Sequence, residues 1–228
     1  MTITIHDEMV QGSDEWHQAR CGLLTASEVK LLVTPKELKA AKNDKVKQHL
    51  YELLAQRVTQ YVEPMYIGDD MLRGKEDEIR ARELYNERFA PVKEVGFITN
   101  NKWGFTLGFS PDGLVGDEGQ IECKSRRQKY QIETIIENVM PEEYMLQVQT
   151  GLAISERGWC DFLSYSGGMH MVPIRVYADE VVQDAIINVA GAFEQNIAEK
   201  LAMYNERIAS NNLLIPTERV TDQEMMIT

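Results

Sequence analysis

Residues 110–124 read SPDGLVGDEGQIECK and hold the most informative pattern in the chain. Nine residues, three of them glycines, separate Asp112 from Glu122. This spacing predicts a β-hairpin that brings the two acids together from neighbouring strands. Lys124 stands two residues after Glu122, so both side chains leave the same face of the strand, while Cys123 points the other way into the core. Two carboxylates and one ammonium are therefore expected at one spot.

Such a cluster suits the hydrolysis of a phosphodiester. Carboxylate oxygens are hard ligands that hold Mg²⁺ or Mn²⁺, and the bound ion lowers the pKa of an attacking water. A lysine beside the ion can orient that water or stabilise the charge of the transition state. The backbone carbonyl of Cys123 is a further candidate ligand. The same spacing also occurs on hairpins whose charges only face solvent, so the string alone leaves both interpretations open.

Two neighbouring features favour the functional interpretation. The hairpin is embedded in apolar residues, which is typical of a buried, central strand pair. A basic run, KSRRQKY at residues 124–130, follows at once, and it predicts that Arg126, Arg127 and Lys129 contact the phosphate backbone of a nucleic acid. The alternative for this run is an ordinary solvated loop. The apolar residues that surround the hairpin in the sequence are Trp103, Phe105, Leu107, Phe109, Leu114 and Ile121.

Glu78 interrupts an apolar stripe on a predicted helix. At 100° per residue, Met71, Tyr85 and Phe89 all fall within about 20° of it. A carboxylate among apolar side chains is costly unless it is neutralised, paired or bound to a metal. Glu78 is therefore either a third carboxylate at the same metal site or one half of a buried salt bridge, with Lys124 as its candidate partner.

The overall charge narrows the classes of function. The chain has 228 residues, of which 24 are basic and 36 acidic, for a net charge of −12. This balance argues against a general nucleic-acid binder, whose surface is usually basic, but it allows an enzyme that confines positive charge to one groove. The length predicts a single domain over residues 1–228, with a polar tail at 209–228 that frays or contacts a partner.

Cysteine usage and hydropathy indicate the compartment. The three cysteines lie far apart in the sequence, which fits a reducing environment and supplies neither paired zinc ligands nor the four thiolates of an iron–sulfur cluster. No run of 18 apolar residues occurs, and the first residues lack the pattern of a signal peptide. We expect a cytoplasmic protein without a membrane partner.

The pattern of helices and strands predicts an α/β class, with a central mixed β-sheet flanked by helices. Capping boxes at Thr25–Glu28 and Thr34–Glu37 mark two helix starts, and the second is expected to open a long helix interrupted near residue 43. The other predicted helices cover 70–89, 141–154 and 179–207, and the predicted strands cover 95–99, 103–109, 120–126, 159–165 and 171–177.

The hairpin and the glutamate on the helix before it resemble the PD-(D/E)xK nuclease pattern, with its restriction-endonuclease-like core. More closely, four blocks in order resemble the phage lambda exonuclease family, also called YqaJ-like viral recombinases or alkaline exonucleases. The resemblance spans residues 16–207. The blocks are Trp16-His-x-x-Arg20-x-Gly-x-x-Thr25-Ala-Ser27-Glu28-Val29, Gly74-Lys-x-x-Glu78, Ser110-Pro-Asp112-Gly-Leu114 with Glu122-x-Lys124, and Tyr144-Met-x-Gln147-Val-Gln149.

The resemblance assigns roles to the matched residues around the metal site. It implies that Asp112 and Glu122 bind the catalytic ions, that Glu78 helps at the second ion, and that Lys124 assists the nucleophilic water. Gln149 matches a site residue that contacts a metal-bound water or the substrate, whereas Gln147 and Tyr144 are expected to pack or to support the site.

A second set of matched residues is implied to receive the terminal 5′-phosphate of duplex DNA. These residues are Arg20, Ser27 and Ser110. The assignment is chemically sensible, because an arginine fork with hydroxyl donors suits a phosphate dianion. Ser27 is also expected in the first turn of its helix, where free amide groups favour an anion. The local alternatives are that Ser27 only satisfies a helix end and that Arg20 pairs with Glu28.

The activity implied by the resemblance is a Mg²⁺-dependent 5′→3′ exonuclease with two ions per site, Mn²⁺ being a substitute. It would act on duplex DNA ends, release 5′-mononucleotides and leave 3′ single-stranded tails. The resemblance also implies a ring-shaped homotrimer, a phage-type single-strand annealing protein as partner, and a bacterial or phage-infected cytoplasm. The alternatives are an endonuclease or junction resolvase that uses the same hairpin and, from another class, a non-catalytic DNA-end-binding scaffold. A Cas4-like nuclease is disfavoured because the cluster cysteines are missing.

Overall fold

A computed structural model of the chain describes residues 2–64 and 68–219. The helices are α1 (Asp14–Arg20), α2 (Asp44–Thr59), α3 (Asp69–Arg88), α4 (Gln128–Glu137), α5 (Met145–Ser155) and α6 (Glu180–Ser210). The strands are β1 (Ile3–His6), β2 (Leu24–Thr25), β3 (Val33–Thr34), β4 (Lys39–Ala40), β5 (Phe97–Asn100), β6 (Leu107–Phe109), β7 (Gly113–Val115), β8 (Gly119–Ser125), β9 (Trp159–Tyr165) and β10 (Val172–Tyr177).

The strands form two mixed sheets and a small hairpin of β3 and β4. The first sheet has the order β1-β5-β6-β2, in which only β2 and β6 run parallel. The second has the order β10-β9-β8-β7, in which only β8 and β9 run parallel. The predicted α/β class with a mixed sheet flanked by helices is confirmed, with its strands divided between two sheets.

The second sheet is covered by a helix on each face. On one face, Ile121 and Cys123 of β8 pack against α3. On the other face, Phe162 of β9 packs against Val148 of α5. Burying each large apolar side chain contributes roughly 1.5–3 kcal/mol, so these contacts hold the sheet between the two helices. Because side chains alternate along a strand, Glu122 of β8 leaves the sheet on the side of α5.

The first sheet contributes to a larger core on the other side of α5. Leu107 and Phe109 of β6 lie there with Ile154 of α5, and α2 and α6 complete the core. The helix α5 is therefore buried along most of its length, as its sequence of small and apolar residues requires. It separates the two sheets and fixes their distance from each other.

Most predicted elements are present in the structure. The helix predicted at 70–89 is α3, the one at 141–154 is α5 with the short turn before it, and the one at 179–207 is α6. The predicted strands correspond to β5, β6, β8, β9 and β10, although β6 is only three residues long. Sequence patterns missed α4, whose first residues belong to the basic run.

The start predicted at Thr34 for a long helix is wrong, whereas the part expected after residue 43 is present as α2. Residues 33–40 form the hairpin of β3 and β4 instead, and Leu38 in its turn has a positive φ of 52° that no α-helix accommodates. The helix α2 begins only at Asp44, because the side chain of Asn43 accepts hydrogen bonds from the N–H groups of Lys45 and Val46. The N-cap of this helix is thus Asn43, nine residues after the predicted N-cap Thr34.

The last helix and the tail agree with expectation only in part. The helix α6 extends to Ser210, so the predicted tail start at 209 falls inside it. Residues 211–219 have no regular structure, and 220–228 lie outside the described residues. In the two described ranges, no helix is both long enough and apolar enough to span a membrane.

Replacing Asn43 tests the corrected start of α2. We expect Asn43→Ala to lower the free energy of unfolding by about 1 kcal/mol, because two N–H groups lose their acceptor. Urea unfolding followed by circular dichroism measures the change. Thr34→Ala is the matched comparison, and we expect it to cost less because its hydroxyl serves only an exposed hairpin. A larger loss for Thr34→Ala would contradict this assignment.

Candidate functional site

The predicted hairpin brings the two acids together. Gly113 of β7 pairs with Ile121 of β8, which places Asp112 beside the next residues of β8. The Asp112 carboxylate accepts a hydrogen bond of 2.5 Å from the backbone N–H of Cys123. Glu122 is only 2% exposed, and its Oε1 lies 2.6 Å from the Nζ of Lys124. The predicted meeting of two carboxylates and an ammonium is thus present.

Cys123 has the orientation that the alternation predicts. Its side chain is fully buried against α3, opposite to Glu122. Its N–H points at Asp112, and the N–H and C=O groups of a strand residue leave on the same side of the strand. The carbonyl oxygen of Cys123 is therefore directed toward the Asp112 edge of the sheet, as a candidate metal ligand would have to be.

The helix α3 is fastened to the hairpin at two points on either side of Glu78. The Ser125 hydroxyl donates to Asp77, at 2.5 Å, and Arg82 donates to the backbone carbonyl of Asp112, at 3.3 Å. Arg82 lies one turn after Glu78, so Glu78 shares the face of α3 that meets the hairpin. The structure thereby brings the third predicted carboxylate to the cluster.

The apolar stripe around Glu78 is shorter than predicted. Tyr85 is buried, with its hydroxyl 2.6 Å from the carboxylate of Asp161. Met71 and Phe89, however, are 44% and 57% exposed, because they lie near the two ends of α3, beyond the sheet. Glu78 therefore sits at the rim of the apolar contact rather than in the middle of a buried stripe.

Burial and like charge dominate the electrostatics of the cluster. Burial, together with the charge of Glu122, raises the pKa of Asp112 well above its usual range. Burial also raises the pKa of Glu78, although Lys124 opposes this effect. For Lys124 burial acts in the other direction, but Glu122 and Asp112 outweigh it, so its pKa is raised and the ammonium is retained.

The donor set fits a hard divalent cation. Three carboxylates and one ammonium leave two negative charges uncompensated within the cluster, and oxygen ligands are those that Mg²⁺ and Mn²⁺ prefer. The described hydrogen bonds engage Oε1 of Glu122 and Oδ2 of Asp112, so the second oxygen of each is left for an ion. Across residues 2–64 and 68–219, no three acidic, histidine or cysteine side chains already form a cage for an ion.

Of the two glutamines of the last block, Gln147 supports the site as expected, whereas Gln149 does not reach it. Gln147 donates its amide hydrogen to Oε1 of Glu122, at 2.5 Å, and so belongs to the cluster. Gln149, predicted as the site residue, is buried elsewhere, where it donates to the carbonyl of Tyr177 and accepts from the N–H of Asp179. Two residues on a helix differ by 200°, so only one of them can face β8.

The predicted phosphate-binding residues meet at the end of β6. Arg20 donates to the hydroxyl of Ser110, at 3.0 Å, and the indole N–H of Trp16 donates to the same oxygen, at 2.9 Å. The guanidinium of Arg20 lies over the Trp16 ring, 4.3 Å from its centre. Burial lowers the pKa of Arg20, and the charge of Glu28 opposes this.

Ser27 joins this group through Thr25. The pairing of β2 with β6 places Thr25 beside Gly108, two residues before Ser110. The Thr25 hydroxyl lies 3.2 Å from that of Ser27 and 3.4 Å from Arg20. The expected helix after Ser27 is only a three-residue 3₁₀ turn, Val29–Leu31, so no helix terminus contributes to anion binding here. Trp16 and Thr25 lie in the matched block, but no role was predicted for them.

The basic run is divided between buried and exposed side chains. Arg126 is 8% exposed, and it donates to Glu143, at 2.6 Å, and to the hydroxyl of Tyr144, at 2.8 Å. Because its charge is paired and enclosed, the structure does not favour the predicted contact of Arg126 with a phosphate backbone. Arg127 and Lys129, at the start of α4, are exposed on the surface.

Comparison with known proteins identifies the family. A sequence model of the YqaJ-like viral recombinase domain matches residues 15–158. The chain belongs to this family. The family predicted from the four blocks is thus confirmed. No sequence among the curated proteins matches the chain.

Solved structures give the same family and fold. The alkaline exonuclease LHK-Exo from Laribacter hongkongensis is 33% identical, with a TM-score of 0.77 over 86% of this chain and 98% of its own. Its complex with dAMP matches over the same shares with a TM-score of 0.76. A phage related exonuclease from Haemophilus somnus 129PT is 13% identical, covers 78% and 96% of the two chains, and shares the fold at a TM-score of 0.55.

The raised pKa of Asp112 predicts how stability depends on pH without metal. The folded state keeps the proton of Asp112 at pH values where the unfolded chain has lost it, so stability falls as the pH rises through the folded pKa. At pH 8 in EDTA, we expect Asp112→Asn to melt at a higher temperature than the wild type. The increase should be about 2–4 °C for each kcal/mol by which the ionised Asp112 destabilises the folded state. Calorimetry measures this difference, which should vanish below pH 4. A lower melting temperature for Asp112→Asn at pH 8 would contradict the cost assigned to this acid.

Matched alanine variants separate the two glutamines. If Glu122 serves the reaction, we expect Gln147→Ala to lower kcat about 10-fold with little change in melting temperature, because the hydrogen bond to Oε1 of Glu122 is lost. Gln149→Ala should instead cost about 1–3 kcal/mol of stability, since a buried side chain and its two hydrogen bonds to the backbone of Tyr177 and Asp179 are lost, with turnover per folded molecule kept. The assignment fails if Gln149→Ala is the variant that loses turnover while remaining stable.

Proposed function

We propose that the chain is a Mg²⁺-dependent exonuclease that degrades one strand of linear duplex DNA in the 5′→3′ direction. It releases 5′-mononucleotides and leaves 3′ single-stranded tails for recombination by strand annealing. Membership of the YqaJ-like family and 33% identity with an alkaline exonuclease over most of both chains make the protein a nuclease. The direction, the metal ion and the use of the tails are the proposed part.

One observation carries the proposal: the group of Arg20, Ser27 and Ser110, which we call the pocket of Arg20, and the acid cluster are joined by two peptide bonds. Ser110 belongs to the pocket of Arg20, and Asp112 belongs to the cluster of Glu122. Two residues of extended chain span at most about 7 Å. An enzyme that removes one nucleotide at a time needs this arrangement, because the terminal phosphate must be held one nucleotide away from the bond that breaks.

The residues of the cluster have distinct proposed roles. Asp112 and Glu122, with the carbonyl of Cys123 and with Glu78 at the second ion, would hold Mg²⁺. The bound ions would supply Lewis-acid stabilisation of the scissile phosphate and a water of lowered pKa. Lys124 keeps its proton, so it offers positive charge to the attacked phosphate and a donor that orients the water.

The proposed partners follow from the same assignment. Duplex DNA ends are the substrate, and exposed Arg127 and Lys129 are candidate contacts for its backbone. We propose a ring-shaped homotrimer and a phage-type single-strand annealing protein as partner, both by analogy with the family. A ring fits a chain of net charge −12, because only its inner wall has to be basic.

Digestion of defined DNA by Lys124→Ala tests the proposed activity. The substrates are linear duplexes with a 5′-phosphate or a 5′-hydroxyl and a circular duplex, each with Mg²⁺ or with EDTA. We expect the wild type to degrade the phosphorylated linear duplex with Mg²⁺ but not with EDTA. We expect Lys124→Ala to be about 100-fold slower, with DNA binding largely kept. Lys102→Ala, whose ammonium pairs with Glu156 at the surface, is the matched control and should retain full activity.

Each alternative gives a different result in this experiment. Cleavage of the circular duplex at a similar rate would favour an endonuclease or junction resolvase. Binding of linear ends without any release of nucleotides would favour a non-catalytic scaffold. Unchanged turnover in Lys124→Ala would remove the lysine from the mechanism.

A further inference from the structure

The hydroxyl groups around Arg20 do not have equivalent hydrogen bonds. Ser110 accepts one hydrogen bond from Arg20 and another from Trp16, which occupies both lone pairs of its oxygen. Its single proton therefore remains to be donated outward, as a phosphate ligand requires. The hydroxyl of Thr25 lies in the same pocket, but its proton has a partner inside the protein.

That partner is Glu28. Both the N–H and the hydroxyl of Thr25 donate to one oxygen of its carboxylate, at 3.0 Å and 2.7 Å. With its proton committed there, the Thr25 oxygen can only accept from the pocket side, where Arg20 and Ser27 are its neighbours. Thr25 thus acts as a relay between a carboxylate and the guanidinium, and Arg20 is coupled to Glu28 through this hydroxyl.

A buried histidine lies behind the carboxylate, in contact with it but without a hydrogen bond from its Nε2. His49 of α2 is 3% exposed, and its Nε2 lies 3.8 Å from the oxygen of Glu28 that Thr25 uses. Its ring stacks on Phe193 of α6, and its other nitrogen lies 3.1 Å from Glu52. A ring fixed on both sides limits the positions that the Glu28 carboxylate can adopt.

We propose that Glu28 is a positioning residue for the terminal phosphate, acting through the hydroxyl of Thr25 on the guanidinium of Arg20. This inference rests on the proposed function, because it assumes that the pocket of Arg20 receives a 5′-phosphate. Without the carboxylate, the Thr25 hydroxyl has no internal acceptor for its proton. The hydroxyl can then rotate so that its proton points toward Arg20, and its oxygen no longer accepts the hydrogen bond from the guanidinium. The guanidinium loses its orientation, while the acid cluster keeps its contacts.

The test compares steady-state kinetics on linear duplexes with a 5′-phosphate or a 5′-hydroxyl, in Mg²⁺. We expect Glu28→Ala to raise KM for the phosphorylated duplex about 10-fold with kcat nearly unchanged, so that the preference for the phosphate falls. Thr25→Val keeps the shape of the side chain but removes the hydroxyl, and it should have the same effect. Thr25→Ser keeps the hydroxyl and should have the KM of the wild type. Glu37→Ala is the matched control, since this exposed acid pairs only with Lys39 among the described contacts.

The double variant is the sharpest measurement. If Glu28 acts through Thr25, then Glu28→Ala combined with Thr25→Val raises KM no further than either change alone. Multiplied effects would overturn the proposal, as would an unchanged phosphate preference in Glu28→Ala. Should Glu28→Ala fail to fold, the comparison of Thr25→Val with Thr25→Ser still decides the role of the relay.

Arg20→Ala distinguishes this failure from that of the proposed function. If Arg20→Ala abolishes the preference for a 5′-phosphate but Glu28→Ala does not change it, the pocket stands and the role of Glu28 is wrong. If the wild type itself shows no preference, or Arg20→Ala leaves it unchanged, the assignment of the pocket to a terminal phosphate fails, and the role of Glu28 fails with it.

Discussion

The short link from Ser110 to Asp112 is the constraint on which the site depends. It connects β6 of the first sheet to β7 of the second, so both ends are fixed by strand pairing. Pro111 between them has a locked φ angle, and its carbonyl accepts a hydrogen bond of 2.8 Å from Gln11. The group of Arg20, Ser27 and Ser110 and the acid cluster are therefore built on different sheets but are held at a nearly fixed separation.

The acid cluster works against the stability of the fold around it. Burial penalises the carboxylates of Asp112 and Glu78, and the charges of Asp112, Glu122 and Glu78 repel one another. Lys124 compensates only part of this charge, and the N–H of Cys123 and the amide of Gln147 help by donating to the carboxylates. An arrangement that costs folding energy and persists at one edge of a sheet is typical of a site kept for its chemistry.

Local rules were enough to predict the hairpin but not the surroundings that complete the site. The alternation along β8 correctly placed Glu122 with Lys124, because a strand has a period of two whatever packs on it. The choice between Gln147 and Gln149 needed the face of α5 that meets β8, and this depends on the packing of two sheets. Arg126 continues the same alternation, and its pairing with Glu143 depends on a turn that no local pattern locates.

The fixed separation also bears on the length of the product. Under the proposed function, a terminal phosphate held by Arg20 would place the first phosphodiester bond near Asp112, and the rigid link would not let the two groups move apart to accept a longer segment. The size of each product then follows from the geometry of the protein backbone and needs no recognition of bases. In that arrangement a net-acidic chain could hold DNA, because the phosphates would meet the guanidinium of Arg20 and the ammonium of Lys124 at two fixed positions.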